Sequence, residues 1–66
     1  MFTGILKKVV PAAGTTRKSV LLIVRRIGVT VSITVDRPAS ENRIAADTPV
    51  LFDPLSKTVT PMQADL

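Results

Sequence analysis

The most regular pattern in this chain is an alternation of β-branched and polar residues between positions 29 and 36. The apolar members of the alternation are Val29, Val31, Ile33 and Val35. Hydroxyl residues and Asp36 occupy the positions between them. Because successive side chains of a β-strand point to opposite faces, this spacing predicts a strand with one buried face and one solvated face.

Two further strands are predicted before this run. Thr3–Val10 is rich in aliphatic residues and is followed by Pro11, which predicts a first strand that ends there. Ser19–Ile27 also carries apolar residues at helical spacing, so a helix is the alternative for this segment. Four of its nine residues are β-branched, which favours a second strand.

The connections are predicted from glycine, proline and polar residues. Arg26-Ile27-Gly28 is short enough for a tight hairpin turn in which Gly28 takes a positive φ. A bulge at Gly28 in one long, bent strand is the alternative. Arg37–Arg43 is a polar connection.

A second hairpin is predicted after this connection. Its strands are Pro49–Asp53 and Lys57–Pro61, and its turn pairs Asp53 with a following proline. An aspartate before proline suits a type I turn, because the carboxylate accepts turn N–H groups and proline presets φ. The last segment, Met62–Leu66, carries no strong pattern.

These elements together predict an all-β fold for residues 1–66, as a single small domain. We expect a small antiparallel β-barrel or sandwich of about five short strands, and the pattern leaves a closed barrel and an open sheet as alternatives. The positions expected to face the interior are Ile5, Val9, Leu22, Val29, Val31, Ile33, Val35, Leu51 and Val59.

The expected core is small, because a chain of this length buries only about 60% of the surface that it exposes when unfolded. The chain has no cysteine and therefore no disulfide to stabilise it. Self-association or docking on a larger partner is the remaining means of stabilising such a domain. We therefore expect a homo-oligomer, such as a trimer, or a larger protein assembly as the partner.

Charge is distributed unevenly along the chain. The first 35 residues contain no acid, and their six basic residues are Lys7, Lys8, Arg17, Lys18, Arg25 and Arg26. From Asp36 onward there are five acids and three bases, although the net charge of the whole chain is +4. This asymmetry predicts an anionic partner or a neighbouring copy, and the six basic residues are the candidate electrostatic contacts.

The residues for catalysis are nearly absent. Without histidine or cysteine there is no common nucleophile–base pair and no common zinc ligand, so no catalytic, cofactor-binding or metal-binding residue is predicted. The longest uncharged apolar run, Val20–Val24, is far below the roughly 20 residues that span a bilayer, so no membrane partner is expected.

A resemblance to a known group of proteins lies in residues 42–61. There Ile44-Ala45-Ala46-Asp47-Thr48-Pro49 leads into a strand, a turn and a Lys57-x-Val59 strand. This arrangement resembles small β-rich phage head decoration and head-fibre proteins, although Asp47 stands where glycine is usual. The resemblance implies a virion structural protein that assembles, often as a trimer, on capsomers.

The leading functional hypothesis is therefore a non-enzymatic virion component, made in the host cytoplasm, that oligomerises and docks on a capsid or similar assembly. The alternative is a small, basic, cytoplasmic nucleic-acid-binding β-barrel. The clustered lysines and arginines favour that alternative, whereas the aromatic content, Phe2 and Phe52 alone, disfavours base stacking. An inhibitor that binds an enzyme through its basic loops is a third possibility.

Overall fold

The computed structural model describes residues 1–62, so the segment after Met62 lies outside the described residues. The described chain is all-β, which confirms the predicted fold class. Its strands are β1 (Phe2–Pro11), β2 (Ser19–Val24), β3 (Thr30–Val35), β4 (Thr48–Asp53) and β5 (Thr58–Pro61). One turn of 3-10 helix, Ala39–Glu41, lies in the predicted polar connection between β3 and β4.

The five strands form one antiparallel sheet in the order β3-β2-β1-β4-β5. The first three strands are a meander, and the β4–β5 hairpin returns to pair with the free side of β1. The outer strands β3 and β5 approach each other across a cleft. The sheet is not closed there, so the expected barrel or sandwich is not confirmed.

The hairpin at Gly28 is confirmed, and Ser19–Val24 is a strand rather than a helix. Gly28 has φ of 88° and its N–H donates to the Arg25 carbonyl over 2.8 Å. The Arg25 N–H donates in turn to the Val29 carbonyl, also over 2.8 Å. Glycine allows this left-handed conformation without a steric penalty.

The predicted Asp-Pro turn closes the β4–β5 hairpin. The Leu55 N–H donates to Asp53 Oδ1 over 3.0 Å. This bond and a second one from the Ser56 hydroxyl lower the pKa of the Asp53 carboxyl from its ordinary value. Lys57 completes the turn with φ of 57°.

A β-bulge divides β1. Its register against β2 shifts between Leu6 and Lys8, which leaves Lys7 as the extra residue. Asp47 fixes the bulge from the side of β4: its N–H donates to the Leu6 carbonyl over 2.7 Å, and its φ is 67°. Aspartate is one of the few residues that tolerate this left-handed conformation. Because of the bulge, Leu6 and Val9 share the inner face of the sheet.

The core differs in part from the expected set. The buried apolar residues are Leu6, Leu21, Ile23, Ile33, Val50 and Phe52. The partly buried residues packed on them are Val9, Val31, Val35, Ile44 and Val59, so five of the nine expected positions are confirmed in the core or against it.

The remaining four interior assignments were wrong. Ile5, Leu22 and Leu51 lie on the opposite face, next in sequence to the buried Leu6, Ile23 and Phe52, whereas Val29 is 50% exposed at the start of β3. Strands β1, β2 and β4 carry aliphatic residues at both odd and even positions, so alternation alone does not select their inner face.

Gly4 sits where the inner face has no room for a side chain. A Cβ at this position would lie 2.5 Å from Ile23 Cγ2 and 2.9 Å from the Val24 carbonyl oxygen. We expect Gly4→Ala to lower the free energy of unfolding by about 1–3 kcal/mol through overpacking, as measured by urea denaturation. Gly14→Asn is the control, since Gly14 lies in open space at φ of 78°, which asparagine tolerates. Equal midpoints for the two variants would contradict this close approach.

Candidate interaction surfaces

The six candidate basic residues lie in three separate places. Lys7 and Lys8 lie at the β1 bulge. Arg17 and Lys18 lie in the β1–β2 loop, whereas Arg25 and Arg26 lie in the β2–β3 turn at the opposite end of the sheet. The structure therefore does not bring the six residues into one patch.

Two of these lysines contact acids from the second half of the same chain. Lys7 Nζ lies 2.9 Å from Asp47 Oδ1, and Lys18 Nζ lies 3.4 Å from Asp36 Oδ1. All four side chains are more than half exposed, so each pair contributes at most about 1 kcal/mol. The charge asymmetry of the sequence is thus partly neutralised within one copy.

Arg25 packs on an aromatic ring, and no acid of residues 1–62 forms an ion pair with it. Its Cζ lies 4.7 Å from the centroid of the Phe2 ring, a cation–π contact. The Phe2 ring in turn packs on Phe52, with centroids 5.7 Å apart. Arg25 Nε is buried and has no hydrogen-bond partner within residues 1–62. The guanidinium therefore packs on the Phe2 ring while one of its donors stays unsatisfied within the described residues.

Exposed apolar residues lie in the same turn as this arginine and on the neighbouring strand β1. Phe2 is 41% exposed, Val29 50% and Ile27 73%. They lie where β1 and β3 begin and β2 ends. We call Phe2, Arg25, Arg26, Ile27 and Val29 the arginine patch. Sequence reasoning placed Val29 in the core and missed the patch, although Ile27 in a hairpin turn beside two arginines was a signal for it.

A second apolar surface lies on the outer face of the sheet. The outer stripe, as we name it, consists of aliphatic residues on the three central strands, all partly exposed: Ile5, Val10, Val20, Leu22, Val24 and Leu51. Ile5 lies opposite Val24 and Val10 opposite Val20. On the neighbouring β3 the outer positions are hydroxyl residues. The aliphatic residues thus form a continuous stripe, and the charged Lys8 lies beside it, opposite Leu22.

The cleft between β3 and β5 has a volume of about 460 Å³. The buried Ser19 hydroxyl donates to the Arg37 carbonyl over 2.7 Å, and Asn42 Nδ2 donates to the Ile44 carbonyl over 2.7 Å. These polar groups fix the β3–β4 connection against the core. Ser19 and Asn42 in the cleft wall are therefore used by the chain itself.

Residues 1–62 contain no cluster of three or more histidine, cysteine or acidic side chains arranged to hold a metal ion. In the same part of the chain no helix has the length and apolarity to cross a membrane.

Comparison of the chain with protein-family models, with curated proteins and with solved structures found no match.

Proposed function

We propose that this protein is a non-enzymatic structural component that associates with copies of itself and docks on a larger protein assembly. The observation that carries the proposal is the outer stripe, an aliphatic surface across the centre of the sheet. Apolar surfaces of this kind in small domains are typical of contacts with other proteins. A 66-residue chain has only a modest core. Burying the outer stripe in a contact with another protein would therefore also stabilise the fold.

A virion, with the capsid as the larger assembly, is the setting that we propose for this component. Support comes from the turn that carries the resemblance to decoration and head-fibre proteins. Asp47 takes the left-handed conformation that glycine usually supplies in that motif, with φ of 67°. The strand, turn and Lys57-x-Val59 strand that follow it are β4, the Asp-Pro turn and β5.

A nucleic-acid-binding module is the second candidate, and one observation favours it. A three-stranded meander followed by a hairpin that pairs with β1 is comparable to the OB architecture. That architecture binds oligonucleotides on the face of its second and third strands. Here the outer face of β2 and β3 carries Val20, Leu22 and Val24 beside hydroxyl residues. This surface has no ring for base stacking, and Lys8 opposite Leu22 is a single cation beside it, so we favour assembly.

Self-association is expected at micromolar concentration, with a closed oligomer such as a trimer detected by sedimentation at low and high salt. Leu22→Glu should weaken it by about tenfold or more, because a carboxylate would be buried in an apolar contact. The fold should persist in this variant, because the new glutamate would face Lys8 on β1.

Thr16→Glu is the matched control, since Thr16 is exposed in the β1–β2 loop and lies outside the stripe. A wild-type protein that stays monomeric at high micromolar concentration would contradict the proposed self-association. Equal effects of the two substitutions would show that the outer stripe is not the contact.

A further inference from the structure

The cleft between β3 and β5 contains two cations that have no acidic partner. Arg37 follows β3 and Lys57 precedes β5, and both line the cleft. Neither forms an ion pair within residues 1–62. The acid among the lining residues, Asp36, lies 3.4 Å from Lys18, and its side chain is 88% exposed. The charge of the cleft therefore favours an anion.

The backbone of Lys57 is a second, independent observation. Its φ of 57° lies in the left-handed region, which disfavours a residue that carries a Cβ. In the other two hairpin connections this conformation is taken by glycine, at Gly14 and Gly28. Lysine thus occupies a position where glycine would be more stable. Such strain is concentrated at functional sites, where the side chain has a role that offsets it.

The polar groups of the cleft specify the kind of anion. Thr34 on β3 and Thr58 on β5 add hydroxyl groups to the lining. Both strands are edges of the sheet, so each also has backbone groups without a strand partner. Arginine binds a carboxylate or a phosphate through two parallel hydrogen bonds, and lysine adds a point charge. The cleft therefore suits a carboxylate or a phosphate group.

The size and the walls of the cleft indicate what carries that group. Its volume of about 460 Å³ lies within the range of small-molecule sites, about 300–1,000 Å³. Its apolar lining includes the partly buried Val35, Ile44 and Val59. No aromatic residue among those described lines it, so a nucleic-acid base would find no ring to stack on. The walls therefore suit a small, apolar organic group.

We propose that the cleft binds a small organic anion, a carboxylate or phosphate on an apolar body, with Arg37 and Lys57 as its cationic contacts. This site goes beyond the proposed assembly function and is independent of it. The cleft lies between the edge strands β3 and β5, whereas the outer stripe crosses the three central strands.

Titration of the ¹⁵N-labelled protein, followed by NMR at constant ionic strength, tests the site. The probes are inorganic phosphate, phenyl phosphate and benzoate. We expect saturable shifts at amides of the cleft lining, with a Kd on the order of 1 mM for phenyl phosphate or benzoate. The tighter of these two identifies the preferred anionic group. Inorganic phosphate should bind severalfold more weakly than phenyl phosphate, because it leaves the apolar walls unused.

Two substitutions of Lys57 separate binding from strain. Lys57→Gly and Lys57→Ala should each weaken binding by about tenfold, because each removes a charged hydrogen-bond donor. Lys57→Gly alone should raise the melting temperature, by about 4–8 °C, because glycine adopts the left-handed conformation freely and alanine does not. Arg37→Gln should also weaken binding by about tenfold.

Arg43→Gln is the matched control for charge. Arg43 is exposed in the same connection as Arg37, but it does not line the cleft. Its substitution should leave the Kd within about twofold of the wild-type value, since exposed charges at a distance are screened by salt. The proposal is overturned if Arg43→Gln weakens binding as much as Lys57→Ala does. It is equally overturned if Lys57→Gly binds as tightly as the wild type, or if 50 mM of each probe produces no saturable shift in the cleft.

Discussion

Phe52→Ala is expected to lower the free energy of unfolding by about 3–5 kcal/mol, the usual cost of truncating a fully buried phenylalanine. Phe52 is 1% exposed and is the largest fully buried side chain among the described residues. Its ring supports Phe2 at a centroid distance of 5.7 Å and faces the backbone of Gly4. Substitution therefore leaves a cavity that the neighbouring strands do not refill.

The size of this loss matters because a chain of this length has a total stability of roughly 3–10 kcal/mol. Phe52→Ala should therefore leave the protein partly or wholly unfolded at 37 °C, as measured by circular dichroism during heating. Leu55→Ala is the matched control: Leu55 is 94% exposed in the β4–β5 turn, so its truncation should change stability by less than about 0.5 kcal/mol. Similar melting curves for the two variants would contradict the observed core.

The Val29–Asp36 run shows when alternation predicts a strand and its buried face together. In β3 the polar residues all lie on one side, so Val31, Ile33 and Val35 were assigned correctly to the inner face. Strand β1 shows the opposite case. It has apolar residues on both faces, and its parity changes at a bulge that is held by Asp47, forty residues away in sequence. Local patterning carries no information about such a contact.

The positions of the candidate surfaces depend on strand order more than on the local sequence pattern. The sequence shows three basic pairs, but the distances between them follow from the order β3-β2-β1-β4-β5. That order places Asp47 beside Lys7 and puts Arg17 and Arg25 at opposite ends of the sheet. The pairing of β1 with β4 is a long-range contact, and no turn residue or periodicity predicts it.

Binding of single-stranded DNA is expected to be weak, with a Kd no tighter than about 10⁻⁴ M at physiological salt. The basic residues are dispersed, two of the six are in ion pairs, and the outer face of β2 and β3 offers no ring for stacking. Each missing stacked base removes about 1–3 kcal/mol of binding free energy. Fluorescence anisotropy with a labelled oligonucleotide at several salt concentrations measures this affinity.

Two double substitutions that remove the same amount of charge distinguish self-association from nucleic-acid binding. Arg25→Gln with Arg26→Gln should weaken self-association by about tenfold or more and reduce its salt dependence, because the arginine patch loses both cations. Arg17→Gln with Lys18→Gln should leave self-association nearly unchanged, because these residues lie at the other end of the sheet. Micromolar DNA binding by the wild-type protein, with a steep salt dependence that the first pair abolishes, would instead support the nucleic-acid module. Basic residues at a docking surface and at a phosphate-binding surface thus give opposite results in the same two assays.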